Sequence, residues 1–425
     1  MLEKALYETL TQEGADPAEA SNFTTHLLSL TATKLADGLI DPKLVLSWLL
    51  SALGAPGAVI GALVPVREAG ALLPQIALAR VIQARRYRRA VWAAGSALQG
   101  LAALGMGLAA FLLEGAVAGW VILGCLALLA CARAACSASY KDIAARTLEK
   151  GTRGTVSGTA GTAAAAVVFA FAAALATGLL PLSPATIAAA LVIAGGLWLI
   201  GAGVFLRLDE PAAEPDAAGL NTEDLARPLA EDPEFRAYLA TRGLLIATAL
   251  APPFIVLLSA GEIGASGETG TELGNLGVLM IASALAAIAS SYVWGRLSDA
   301  SSRRTLAWSG ALAAVALGVA ALLGWGAQSV NAHLLAAVLF VAQIAYEGVR
   351  AGRKTHLTDM DTGNDKALYT ALSNTLIGVL LLAGGLFGLL ADAAGPGVVL
   401  AIFAAMAVLA AGVGLSLSEV QEEEG

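Results

Sequence analysis

The sequence has little charge. Only 14% of its 425 residues are Asp, Glu, Lys or Arg, against roughly 25% in an average soluble domain. A soluble chain of this length would form two or three domains, each with a charged surface. Apolar residues instead make up 57% of the chain. This composition excludes an ordinary soluble multidomain protein and favours a membrane protein.

Cysteine and enzyme motifs are also scarce. The three cysteines, Cys125, Cys131 and Cys136, lie in one apolar stretch, so we expect no disulfide framework. The sequence contains no Gly-x-x-x-x-Gly-Lys-Ser/Thr, His-Glu-x-x-His, paired Cys-x-x-Cys or Gly-x-Ser-x-Gly motif. We therefore predict no cofactor, no metal site and no enzymatic activity. The net charge of −8 argues against nucleic acid as a partner.

Twelve apolar stretches can be marked, each bordered by charges, Gly or Pro. One membrane-spanning helix needs about 20 apolar residues. The sequence predicts an all-α polytopic membrane protein with twelve transmembrane helices, acting as a monomer in the lipid bilayer. Spans 3 to 12 are expected at about 90–112, 119–139, 156–178, 185–206, 243–261, 273–294, 305–325, 332–349, 368–391 and 398–416.

The bounds of the first two spans follow from the residues that flank them. The basic cluster that starts at Arg85 must lie outside the bilayer, which puts span 2 near 58–82. Span 1 then ends near Gly54, and residues 44–54 alone are too few to cross. The sequence therefore predicts one continuous helix from about residue 27 that carries charged residues into the membrane.

Lysine and arginine indicate the orientation. Sixteen of the 25 follow the even-numbered spans 2, 4, 8 and 10, and the loops after spans 3, 5, 7, 9 and 11 carry none. The positive-inside rule then places both termini in the cytoplasm. No cleavable signal peptide is predicted, because residues 1–25 are polar and acidic.

The chain contains an internal repeat. Arg88–Gly95 and Arg303–Gly310 share a pattern, lie 215 positions apart, and each opens the span after an even-numbered one. Two parallel halves of six spans are typical of one transporter architecture. The predicted organisation is a cytoplasmic segment (1–26), a six-helix half (27–206), a cytoplasmic linker (207–242), a second six-helix half (243–416) and an acidic tail (417–425).

The second repeat follows Gly295-x-x-x-Asp299-x-x-x-Arg303-Arg304. With the six-plus-six split and the internal termini, this loop resembles the motif between spans 8 and 9 of the major facilitator superfamily. The resemblance implies a transporter fold in which Gly295, Asp299, Arg303 and Arg304 act at a cytoplasmic gate. Segments 33–37 and 67–70 also resemble a bacterial branch of the superfamily without an assigned substrate, which implies the bacterial inner membrane as the location. The first-half loop departs from the motif, because Arg80 and Ala84 stand where Gly295 and Asp299 do.

Several charged residues fall inside predicted spans, where a charge costs about 2.5–3.5 kcal/mol on insertion scales. Lys34, Asp37 and Asp41 share one face of span 1. They form either a polar cavity wall or a mutual salt bridge. Arg67 and Glu68 in span 2 are either cavity residues, with Gln75 on the face of Glu68, or a structural pair at the outer edge.

Spans 4 and 10 supply the other candidates. Arg133 has no acid one turn away, so its partner must come from another span. Gln343, Tyr346, Glu347 and Arg350 form a polar face on span 10. Glu347 and Arg350 are either cavity residues or partners of each other. Lys141 and Asp142 at the cytoplasmic mouth are gate candidates or ordinary loop ion pairs.

These residues predict a proton-coupled secondary active transporter of a small anionic or zwitterionic solute that works by alternating access. Asp41, Glu68 or Arg67, Arg133 and Glu347 are expected to meet at one central polar cavity. The alternative is a non-transporting membrane assembly or scaffold protein on the same fold.

Overall fold

The computed structural model describes residues 2–11, 14, 16–74, 78, 82, 84–149, 152–212, 227–260, 275–326, 332–360 and 366–421. Gln75 and Arg80, both singled out above, lie outside these residues, as do the central part of the predicted linker and the end of the tail. The described part of the chain is helical, and its helices are numbered here in chain order.

The first eight helices are α1 (Leu2–Thr11), α2 (Pro17–Ile40), α3 (Val45–Ala52), α4 (Gly57–Leu72), α5 (Arg89–Leu112), α6 (Gly115–Thr147), α7 (Thr152–Ala176) and α8 (Pro184–Phe205). The others are α9 (Arg227–Glu231), α10 (Pro233–Leu244), α11 (Ile246–Ala260), α12 (Asn275–Ala300), α13 (Ser302–Gly326), α14 (Ala332–Asp359), α15 (Lys366–Gly384), α16 (Phe387–Ala394) and α17 (Pro396–Leu415).

Within the described residues, nine helices are long and apolar enough to cross a membrane. A tenth span is present if Leu276–Ser290 and Tyr292–Ala300, bent by 42°, are counted together. The all-α polytopic fold is therefore confirmed, and the number of twelve spans stays a prediction.

Span 1 is not the continuous helix that we predicted. Helix α2 ends at Ile40, Asp41 has φ −10° and ψ 106°, and a helix resumes only at Val45. Proline accounts for the break, since Pro42 has no N–H to donate and disfavours helical geometry at the residue before it. Asp41 therefore leaves the helical face that it was expected to share with Lys34 and Asp37.

Helix α2 also begins earlier than predicted. Asp16 caps it by accepting a hydrogen bond from the Glu19 N–H at 2.7 Å, and Pro17 occupies the first helical position. The preceding helix α1 packs on α2, and the hydroxyl of buried Tyr7 donates to Glu19 at 2.8 Å. The N-terminal segment is thus part of the folded core around α2.

The chain divides into two compact units. Unit 1 comprises Met1–Asp41, Gly70–Phe171 and Ser183–Leu220, and unit 2 comprises Pro42–Ala69, Ala172–Leu182 and Asn221–Gly425. In unit 1, α5 packs against α6 and α8, and α2 packs against α8. In unit 2, α13 packs against α14 and α17, and α11 packs against α17 and α3.

Each unit ties the start of one long helix to the segment that follows its last helix. In unit 1, Glu210 accepts hydrogen bonds from the backbone N–H groups of Arg88 at 3.0 Å and Arg89 at 2.9 Å. In unit 2, Glu419 accepts from the Ser301 hydroxyl at 2.7 Å and from Arg303 Nε at 3.0 Å. The described ends of the predicted linker and tail are therefore bound to their own units.

Candidate functional site

Most of the charged residues predicted within spans 1, 4 and 10 belong to two clusters, one in each unit. The first is the Asp37 cluster, formed by Lys34, Asp37 and Arg133. The guanidinium of Arg133 on α6 donates to Asp37 Oδ2 on α2. These two side chains are 37% and 24% exposed, respectively. The partner of Arg133 thus comes from another helix.

Lys34 extends this cluster to a third helix. Its Nζ donates to the Ser157 carbonyl at 2.6 Å and lies 3.2 Å from the Ser157 hydroxyl on α7. Gly161, one turn further along α7, is close enough that a Cβ there would lie 3.3 Å from Nζ. The small residues of α7 therefore make room for a lysine ammonium beside an aspartate.

The second group is the Tyr346 cluster, formed by Lys43, Tyr346, Glu347 and Arg350. Lys43 Nζ lies 3.4 Å from the centroid of the Tyr346 ring, and Arg350 Cζ lies 6.0 Å from the same centroid. Such cation–π contacts are worth about 0.5–2 kcal/mol, depending on desolvation. Arg350 NH1 also donates to Glu347 at 3.1 Å.

Gln343 and Glu68 border the Tyr346 cluster. Gln343 Nε2 donates to Glu347 Oε1 at 3.3 Å, so the carboxylate is held by two neighbours on α14. Glu68 on α4 lies near enough to attract the Arg350 guanidinium electrostatically. The Glu347 side chain is only 14% exposed, whereas Arg350 is 54% exposed.

Our sequence analysis missed Lys43. It looked like an ordinary flanking charge, because the continuous helix predicted for span 1 gave it no special position. The signal that could have revealed it is Pro42, which breaks the helix and leaves Lys43 in the short connection between α2 and α3. Broken transmembrane helices commonly form substrate sites in transporters.

The remaining predicted cavity residues, Asp41 and Arg67, are both half-buried, Asp41 after the end of α2 and Arg67 on α4. Their predicted approach to one cavity, together with Arg133 and Glu347, stays a prediction.

Two of the gate candidates, Lys141 and Asp142, lie in the last two turns of α6. Asp142 pairs with Arg88 at 2.5 Å and with Arg146 at 3.0 Å, while Lys141 is exposed. In unit 2, Arg303 pairs with Glu419, as described above, and its NH1 also donates to the Leu417 carbonyl at 3.2 Å.

The other three residues of the loop motif are Gly295, Asp299 and Arg304. Among the described residues Asp299 forms no ion pair. Arg304 is exposed, and a Cβ at Gly295 would meet no atom within 4 Å. The gating role of Gly295, Asp299, Arg303 and Arg304 stays a prediction.

A close crossing of α4 and α16 lies in unit 2. A Cβ at Gly61 would lie 2.6 Å from Gly388 Cα, and a Cβ at Gly388 would lie 2.8 Å from Ala58 Cα. The Ala58 N–H donates to Asp392 Oδ2 at 2.8 Å, so a carboxylate of α16 binds the positive end of α4. We call Ala58, Gly61, Gly388 and Asp392 the glycine crossing.

No protein-family model and no curated protein matches the sequence. Solved structures do match. A nucleoside transporter, NupG, superimposes with a TM-score of 0.68 at 14% identity, covering 93% of this chain and 99% of that one. A POT family transporter in complex with 5-aminolevulinic acid gives a TM-score of 0.68 at 10% identity, covering 93% and 96%. The chain has the fold of the major facilitator superfamily.

The predicted resemblance to the major facilitator superfamily is therefore confirmed at the level of the fold. Another structure of a POT family transporter, in complex with a thioalcohol-conjugated peptide, matches with a TM-score of 0.68 at 11% identity and covers 93% and 95% of the two chains. With its apolar helices, this chain is a multi-pass membrane protein of the superfamily fold.

Proposed function

We propose that this protein is a proton-coupled secondary active transporter that moves a small anionic or zwitterionic solute by alternating access. The fold supports transport, because its solved neighbours are transporters of nucleosides or belong to the POT family. The observation that carries the choice of solute is the charge of the two clusters, the Asp37 cluster in unit 1 and the Tyr346 cluster in unit 2.

The charges of the clusters favour an anionic group. The Asp37 cluster has two cations and one carboxylate, and the Tyr346 cluster likewise has Lys43 and Arg350 against Glu347. The Asp37 cluster therefore carries one excess positive charge, whereas Glu68 beside Arg350 brings the Tyr346 cluster to two cations and two carboxylates. In a low-dielectric site an excess positive charge is costly unless an anion or water approaches it.

The carboxylates support proton coupling. Protonation of Asp37 would remove the charge that holds Arg133, and protonation of Glu347 would release Arg350 in the same way. An acid that trades an arginine partner for a proton can link proton movement to a change of conformation. This is the physical basis on which we propose proton coupling for this chain.

The proposal predicts uptake into proteoliposomes. We use radiolabelled 5-aminolevulinic acid as a zwitterionic probe, a dipeptide as a larger one and a neutral nucleoside as the contrast. An inward proton gradient should drive accumulation of a charged probe, and a protonophore should abolish it. Protein-free liposomes are the control. Absence of uptake for every probe would favour the assembly or scaffold alternative, and uptake of the nucleoside alone would refute the charge argument.

The proposed orientation places both termini in the cytoplasm. In a cysteine-free background, Leu179→Cys and Arg207→Cys are matched reporters, since both residues are exposed and they lie at opposite ends of α8. A membrane-impermeant maleimide added to intact cells should label Leu179→Cys and should reach Arg207→Cys only after the membrane is permeabilised. The reverse pattern would overturn the orientation.

A further inference from the structure

A groove of about 720 Å³ opens between α5 and α6 in unit 1. Its walls are apolar and include Val91 and Leu98 of α5 and Cys131 of α6. At one end the groove is polar instead of apolar, because its rim there is formed by Arg85, Arg86 and Tyr87. The groove thus has an apolar body and a cationic end.

The apolar body belongs to the surface that faces lipid. Leu98 is 38% exposed, and Leu101 and Leu108 on the same helix are 58% and 57% exposed. Residues at these spacings lie on one side of a helix. Exposed leucines in a membrane-spanning helix contact acyl chains, so the groove is open to the hydrocarbon of the bilayer.

Two arginines at the cationic end are without a carboxylate partner among the described residues. Of the four arginines between residues 85 and 89, Arg88 pairs with Asp142, and Arg89 donates to the Leu208 carbonyl. Arg85 and Arg86 form no ion pair with any carboxylate in the described part of the chain. The Arg86 guanidinium lies 5.9 Å from the ring of Tyr87, which is 43% exposed.

We propose that this groove binds one anionic phospholipid, with its phosphate at Arg85 and Arg86 and an acyl chain along the apolar wall. Two guanidiniums in the membrane interface attract an anionic headgroup, and a tyrosine suits the same depth. A free phosphate would use only the rim and leave the wall exposed. An uncharged or zwitterionic lipid would use the wall but would complement the two cations less well.

The groove itself offers a reporter. Cys131 is exposed on its wall, Cys125 is partly buried elsewhere on α6, and Cys136 is buried. We expect phosphatidylglycerol, added to the purified full-length protein in detergent, to slow maleimide alkylation of Cys131 at least about tenfold, which corresponds to roughly 1.4 kcal/mol of site protection. The alkylation rate of Cys125 should stay the same.

Arg85→Gln together with Arg86→Gln should remove this protection and lower the amount of phosphatidylglycerol that co-purifies, as counted by mass spectrometry. Arg207→Gln is the matched control, because Arg207 is also exposed but lies outside the groove. This control variant should behave like the unchanged protein. The assay measures lipid binding, so its outcome is independent of whether the chain transports the proposed solute.

Three results would overturn the inference. Equal protection by phosphatidylcholine would mean that the acyl chain alone is recognised. Protection by inorganic phosphate without lipid would mean that the rim is a simple anion site. Unchanged protection in the double arginine variant would place the bound lipid elsewhere.

Discussion

Replacing Arg133 by glutamine is expected to lower uptake of the charged probe by about tenfold or more, equivalent to a loss of at least about 1.4 kcal/mol. The variant leaves Asp37 without the guanidinium that contacts it. Breaking a fully buried pair costs about 3–5 kcal/mol. Because the Arg133 side chain is 37% exposed, water screens part of that cost and the loss of folding stability should be nearer 1 kcal/mol.

Uptake should therefore fall more than stability does, and the two are measured by proteoliposome transport and thermal melting of the same preparations. Arg133→Lys keeps the charge and should retain partial uptake. The double variant Asp37→Asn with Arg133→Gln tests the coupling directly, because residues in contact give non-additive effects. Purely additive losses would show that the two side chains act independently and would contradict the proposed role of the pair.

The second large effect is expected from Gly388→Val. A Cβ at this position would lie 2.8 Å from Ala58 Cα and from the Gly57 carbonyl oxygen, whereas carbon atoms pack comfortably at about 3.5–4.0 Å. The helices α4 and α16 would have to separate by about 1 Å, at a cost of about 1–3 kcal/mol. We expect uptake to fall about tenfold, because a cost of about 1.4 kcal/mol, which lies within this range, corresponds to a tenfold change in an equilibrium constant.

The separation of α4 from α16 can be measured directly by cysteine labelling. Ala58→Cys should be labelled faster by an impermeant maleimide when Gly388→Val is present, since the Ala58 N–H then loses its contact with Asp392. Asp392→Asn should have a smaller effect, because an amide oxygen still accepts the hydrogen bond.

Gly412→Ala is the matched control for the glycine crossing. It lies on α17, and a Cβ there meets no atom within 4 Å. Alanine is favoured over glycine in a helix by about 0.8–1.0 kcal/mol, so this variant should be as stable as the unchanged protein or more so. Equal behaviour of Gly388→Val and Gly412→Ala would show that the glycine crossing tolerates bulk and would contradict the prediction.

Except for Lys43, the charged residues of the clusters were predicted from the sequence, whereas the partner of Arg133 was not. Arg133 stood out because a charge in an apolar span is expensive, and the absence of a nearby acid already required a partner on another helix. Which acid that would be depends on how α2 and α6 pack. Lys43 was overlooked because the continuous helix predicted for span 1 gave it no special position.

The ends of helices also carry local sequence signals. Asp16-Pro17 and Asp232-Pro233 are local signals, and each starts a helix with the aspartate as its cap. Pro42 is also a local signal, but the need for a long hydrophobic span argued against a break there. The structure resolves this conflict in favour of the proline, since a missing N–H and a steric clash act at one residue and cannot be spread over a helix.

Composition and apolar run length were enough to predict the membrane class and the helical architecture, and the internal repeat together with the resemblance of the loop at residues 295–304 predicted the superfamily fold. Tertiary structure alone decided that Asp37 meets Arg133, that Lys43 lies over Tyr346 and that Glu210 and Glu419 bind the starts of α5 and α13. Each of these contacts joins residues that are distant along the chain. Hydrophobic burial is non-directional and can be read from composition, whereas ion pairs and hydrogen bonds act over a few ångströms and depend on how each helix is rotated and placed against its neighbours.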